Sequence, residues 1–312
     1  MGSRVWIDDI REWSGTGVLS LVGPTGSGKT STALAEVRRR WPHDLRHPLL
    51  VSVDSVACYR GLDIGSAKPR GEDLSAFDWI GLDIADVSER VSAAEFIDRV
   101  QGPLDASLAS GRPILLVGGS HFYERALVDG MSPGDPSDMA WIASLRPIPN
   151  EELKAALVAK DSRWEKKVHA NDRYRLGRYS DLVIRQGLSF DDLFGGRRAE
   201  THPGMGEVHV LALGLDVEPE AYAPRLARRI RSMFEDGWFL EVAGLLERYP
   251  AASPGLLTVG YREIVEAWPP APATQAALET AILTTHLQLA KKQRTWIRGL
   301  RRRSGPDRPR GD

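Results

Sequence analysis

Eight residues, Gly23–Thr30 (GPTGSGKT), fit the phosphate-loop pattern G-x-x-x-x-G-K-[ST]. In that pattern the glycines let the backbone curl until successive amides face inward, and a lysine and a hydroxyl follow. The diphosphate-binding set expected here is Gly23, Pro24, Thr25, Gly26, Ser27, Gly28, Lys29 and Thr30. The amides of Gly26, Ser27, Gly28 and Lys29 are expected to cradle the anion, with Lys29 on its terminal phosphate and the Thr30 hydroxyl on Mg²⁺. Such a loop recognises a diphosphate and leaves open what the diphosphate carries. Asp54 follows the apolar run Leu49–Val53 (LLVSV). A carboxylate there suits a magnesium ligand or a strand-end cap. On these residues alone a nucleotide kinase or ATPase is the default.

The elements that must position these residues follow from apolar periodicity. Gly17–Val22 (GVLSLV) is a short strand feeding the loop, and Lys29–Arg40 is the helix after it, with Ala33, Leu34 and Val37 on one face. Ser92–Leu108 is a helix opened by S-A-A-E, a capping box. Pro113–Val117 (PILLV) is a strand ended by Gly118-Gly119, and Val208–Leu215 is another. Ala221–Arg248 and Thr274–Arg303 read as long helices. Alternating strands and helices predict an α/β fold, a P-loop NTPase-like parallel sheet flanked by helices. The loop, Asp54 and Gly118-Gly119-Ser120 then share the crevice at the carboxyl ends of the strands. From Met131 the texture changes: MSPGDPSD is turn-rich, Glu151–Gly187 is charged and helical in pattern, and Gly195–Gly206 reads as a loop. The predicted organisation is a core of 1–130 and 188–312 with a small inserted helical domain at 131–187.

Composition bounds the rest. A chain of 312 residues with 42% hydrophobic content suffices for one large domain with an insertion. The single cysteine, Cys58, excludes a disulfide framework and a thiolate zinc cluster, and fits a cytoplasmic location. No apolar run approaches membrane-spanning length, so no membrane association is expected. A net charge of -1 leaves nucleic acid undecided. Basic clusters at Arg225–Arg231 and Lys291–Arg303 make an anionic partner plausible beside a phosphate loop, although a lone basic run is more often a solvated face. The tail Arg301–Asp312 is expected to be disordered.

Asp54–Pro69 (DSVACYRGLDIGSAKP), following GPTGSGKT, resembles the tRNA dimethylallyltransferases, which are P-loop prenyltransferases. Further blocks resemble that family in the same order: VSAAEF at Val91, LVGGSHFY at Leu116, HANDRYRL at His169, TVGYRE at Thr258 and AKKQRTWIR at Ala290. The resemblance implies transfer of a dimethylallyl group from dimethylallyl diphosphate to the exocyclic amine of an adenosine beside the tRNA anticodon. It implies Mg²⁺ as cofactor, the anticodon stem-loop as partner, and a monomer. It implies Asp54 as the base on the adenine amine, Thr25 at the bridging oxygen of the donor, and Arg225 on the diphosphate. Ser55, Tyr59, Arg60 and Ser120 would line the acceptor channel, and the insertion would grip the tRNA. His169 and Trp296 read as structural, in a capping turn and in the core respectively.

This chain departs from the family pattern in places. Ala57 stands where glutamine is frequent, Ser120 where threonine is usual, and Ala170 where proline follows the histidine. Asp78-Trp79-Ile80 replaces a P-H-H element, and Leu287 replaces an arginine. Free adenine nucleotide as acceptor, a P-loop kinase and a non-catalytic RNA-binding protein are the competing readings.

Overall fold

The computed structural model describes residues 4–42, 47–131, 137–194, 205–215, 217–269 and 275–304. The expected tail beyond 304, most of the loop expected at Gly195–Gly206 and part of the turn-rich start of the insertion therefore lie outside the described residues. The chain divides into two compact units, Met1–Val128 with Pro203–Asp312, and Asp129–His202.

The first unit is built on one six-stranded sheet: β1 (Arg4–Ile7), β2 (Val18–Val22), β3 (Leu49–Ser52), β4 (Trp79–Ile80), β5 (Ile114–Val117) and β6 (Val208–Ala212). The strands run parallel in the order β1-β6-β2-β5-β3-β4. All residues of β2, β3 and β5 are buried, as strands covered on both faces require. The helices interleaved with these strands are α1 (Lys29–Arg40), α2 (Glu72–Ser75), α3 (Ala93–Ala109) and α4 (His121–Asp129). The predicted capping box opens α3: the Glu95 amide donates to Ser92 Oγ at 3.2 Å and the Ser92 amide to Glu95 at 2.6 Å.

The second unit holds α5 (Met139–Ser144), α6 (Asn150–Lys160), α7 (Trp164–Lys167), α8 (Arg173–Ser180) and α9 (Phe190–Phe194). They enclose their own apolar cluster around Leu157, Trp164 and Leu176. His169 makes a capping turn, its ring nitrogen accepting from the Asn171 amide at 3.1 Å, while Asp172 caps α8.

The first unit resumes with α10 (Pro219–Glu235), α11 (Trp238–Leu246), α12 (Tyr261–Glu266) and α13 (Gln275–Ser304). The single helix expected over Ala221–Arg248 is thus two. Gly237, at φ 99°, breaks it in a backbone conformation that other residues rarely adopt. Two strands that the sequence pattern does not mark, β1 and β4, are the short edge strands of the sheet.

Candidate active site

The phosphate loop joins β2 to α1, and the neighbouring strands β5 and β3 end in Gly118-Gly119-Ser120 and Val53-Asp54. Gly118 permits the last two to touch: a Cβ there would lie 1.9 Å from the Val53 carbonyl oxygen. The Ser120 amide donates to that same oxygen at 3.0 Å, which holds Ser120 beside Asp54. Asp54 Oδ1 accepts from the amides of Val56, at 2.8 Å, and Ala57, at 3.2 Å. Among the described residues Oδ2 takes no hydrogen bond. One carboxylate oxygen is therefore pinned and the other remains open.

Lys29 folds back onto its own loop, donating to the carbonyls of Gly23 at 3.0 Å and Pro24 at 2.9 Å. Burial pushes its ammonium down to about 8; the Asp54 charge opposes that shift and the Arg229 charge adds to it. The Ser27 amide, expected to face an anion, instead closes the loop's turn by donating to Pro24 O at 3.2 Å. Ser27 contributes its hydroxyl, which is buried with no hydrogen-bond partner among the described residues. A buried donor left unpaired is costly, so a loop that keeps one suits a ligand bearing acceptors.

Cations from the second half of the chain converge on this loop. A Cβ on Gly28 would stand 3.3 Å from Arg225 Nη2, so the guanidinium lies over the loop. Arg229 is held below its ordinary range by burial, against the Asp54 charge. The Arg294 guanidinium stacks over the Tyr222 ring at 4.4 Å, and its Nε and Nη2 are buried with no hydrogen-bond partner among the described residues.

Other candidates lie differently. Ser55 is exposed beside Asp54. Tyr59 is 5% exposed and packs in the cluster formed with α10–α13. Arg60 is exposed and donates to the Asp83 carbonyl at 3.2 Å. Trp296 stacks on His121 at 4.7 Å. Of the departures, Ala57 is buried, Leu287 packs against the cluster of Tyr222, Leu226 and Ala290, and Asp78 pairs with Arg112 at 2.6 Å beside β4.

Arg229 and Arg294 belong to the two basic clusters that the sequence marked for an anionic partner, whereas Tyr222 and Gln293 were missed. Gln293 left a trace: Ala290, Gln293, Ile297 and Leu300 form one buried helical stripe, and a glutamine on an apolar stripe asks for partners.

The family model described as IPP transferase matches residues 57–300. A tRNA dimethylallyltransferase of Thioalkalivibrio sulfidiphilus is 37% identical, with 89% of this chain and 86% of that protein covered. One from Acaryochloris marina is 31% identical, with coverage of 90% and 89%. Among solved structures, the tRNA isopentenylpyrophosphate transferase of Bacillus halodurans superposes with a TM-score of 0.58 at 25% identity, covering 91% of this chain and 87% of that one. A eukaryotic dimethylallyltransferase acting on tRNA shares the fold, with a TM-score of 0.73 at 19% identity over 90% of this chain and 69% of its own. Sequence likeness over nearly the whole length, on a parallel sheet whose strand ends gather a phosphate loop, a half-open aspartate and three arginines, makes this chain a member of the IPP transferase family.

Proposed function

We propose that the protein transfers a dimethylallyl group from dimethylallyl diphosphate to the exocyclic amine of an adenosine next to the tRNA anticodon. The observation that carries this reading is Asp54: one oxygen is fixed by two amides and the other is open, beside a phosphate loop. The C1–O bond to diphosphate breaks with its electron pair, the N–C1 bond forms, and the amine proton passes to the open Asp54 oxygen. An aryl amine is a weak nucleophile, so a carboxylate aimed at its N–H helps as charge develops. The leaving diphosphate gains charge, which in this reading the remaining loop amides, Lys29 and Arg225 stabilise. Thr25 stands at the bridging oxygen, and Ser55 and Ser120 flank the acceptor. Tyr59 and Arg60 shape that channel from behind rather than by touching the base, since one is buried and the other is turned to Asp83.

The donor set fits magnesium. Thr30 offers a hydroxyl at the start of α1. Mg²⁺ is commonly held in this way, by few protein groups together with substrate phosphates and water. When bound it would neutralise charge on the diphosphate. No helix among the described residues is long and apolar enough to cross a membrane. The reading places a monomer in the cytoplasm, acting on the anticodon stem-loop.

The test is single-turnover prenyl transfer to unmodified tRNA, with adenine nucleotide as competing acceptor. Asp54→Asn, which can keep the turn, is expected to bind donor normally and to slow transfer by about a hundred- to ten-thousand-fold. Near-normal transfer by that variant removes Asp54 as the base. Transfer to nucleotide alone replaces tRNA as the acceptor.

A further inference from the structure

Thr25 is held by both of its peptide groups. Its amide donates to Gln293 Oε1 at 2.8 Å, and its carbonyl accepts from the Tyr222 hydroxyl. Neither partner belongs to the loop: Gln293 comes from α13 and Tyr222 from α10. Gln293 has a second bond, its Nε2 donating to the Gly119 carbonyl at 2.8 Å. It therefore bridges the loop after β2 to the loop after β5. A side-chain amide presents an acceptor and a donor side by side, and these two partners fix which is which. The fit is close, since a Cβ on Gly119 would lie 2.7 Å from Gln293 Nε2.

Both side chains are deeply buried, Gln293 at 5% and Tyr222 at 2% exposure. Burial raises the Tyr222 phenol, so it stays protonated and remains a donor. Lys29 covers the carbonyls of Gly23 and Pro24. With Tyr222 on the next carbonyl, three successive peptide groups at the mouth of the loop are oriented by side chains. A P-loop needs no such outside clamp to curl round an anion; its glycines and the following helix suffice. The clamp falls on the residue whose hydroxyl the transfer reading sets at the breaking bond.

We propose that Gln293 and Tyr222 are positioning residues for prenyl transfer, clamping the backbone of Thr25 so that its hydroxyl is aimed at the bridging oxygen of the donor. This rests on the function proposed above. A misplacement of about 1 Å can cost about a hundredfold in rate, whereas diphosphate affinity rests on the loop amides and cations. The rate should therefore suffer and donor binding should not.

The experiment is a double-mutant cycle on the full chain, measured as single-turnover transfer to tRNA at saturating donor and as donor KM. Gln293→Ala is expected to slow transfer by about ten- to a hundredfold while donor KM stays within about threefold. Tyr222→Phe should act in the same direction. Because Gln293 acts through Thr25, the double variant Thr25→Ala/Gln293→Ala should be no slower than Thr25→Ala alone, a non-additivity that general loosening does not produce. Gln293→Met keeps the shape of the side chain; it should melt like the parent and still transfer slowly, which covers the case in which the alanine variant folds poorly. Additive losses, or a loss confined to KM, in an active parent overturn the clamp and leave the transferase reading standing. A parent that transfers no prenyl group overturns the transferase reading itself, and the clamp with it.

Discussion

Lys29 is the residue whose environment sets a pH dependence. Its ammonium is pushed down to about 8 by burial. A bound diphosphate places negative charge beside it and raises that value, so the donor complex holds the proton more tightly than the free enzyme does. The sign follows: donor affinity is full below about 8 and falls as pH rises through that value, at up to about tenfold per pH unit. Donor KM measured from pH 6.5 to 9.5 should climb over the upper half of that range. Lys29→Met should bind weakly throughout and show no climb; a flat profile in the parent would mean the ammonium keeps its proton when the site is empty. Of this site, the loop and Asp54 were legible because their chemistry is local, carried by a short pattern and a strand end. Tyr222 and Gln293 were not, because they reach the loop from helices some two hundred or more residues downstream, and periodicity marks such positions only as buried.

At the scale of elements, legibility followed burial. Strands buried on both faces wrote continuous apolar runs and were read within a residue or two; β1, partly buried at an edge, and β4, two residues long, left no run to read. The long helix expected over Ala221–Arg248 hid its break, since the apolar pattern continues on both sides of Gly237. That break frees α11 to aim Glu241 at the segment after Asp54. The Glu241 carboxylate accepts from the amides of Asp63 at 3.0 Å and Ile64 at 2.7 Å, and from the Tyr261 hydroxyl at 2.5 Å. Lys68 ties the same segment from its far end, donating to Tyr59 O at 2.8 Å and to Asp63 and Asp83, each at 2.6 Å. Removing one hub leaves donors unpaired, which costs about 1–3 kcal/mol. Glu241→Ala should therefore lower the melting temperature by several degrees, and Glu241→Gln, which keeps one acceptor, by less. Equal melting of all three proteins would show the segment to be held by packing alone.

The whole molecule devotes one continuous excursion, Asp129–His202, to a unit with its own core, which prenyl chemistry does not require. Taking a base out of its stack costs a few kcal/mol, and a grip on the RNA outside the catalytic sheet would offset it. Cations of this unit already have partners of several kinds, and they differ in exposure. Arg163 is paired with Asp161 and Asp191, Arg178 with the buried Asp181, and Arg175 with Asp172. Arg173 donates to the carbonyls of Ile148 and Leu145 and to Asn150. Lys166 and Lys167 are exposed at the end of α7, with the Lys167 ammonium 3.7 Å above the Phe194 ring. Replacing both lysines by alanine is expected to weaken tRNA binding and to lower the slope of log affinity against log salt by about one for each phosphate that is no longer neutralised. Donor KM should hold, because the phosphate loop belongs to the other unit. Filter binding of tRNA across a salt series, run beside donor KM, separates the outcomes: an unchanged slope assigns the two lysines to solvation of α7, and a reduced slope with unchanged donor KM assigns them to the RNA backbone.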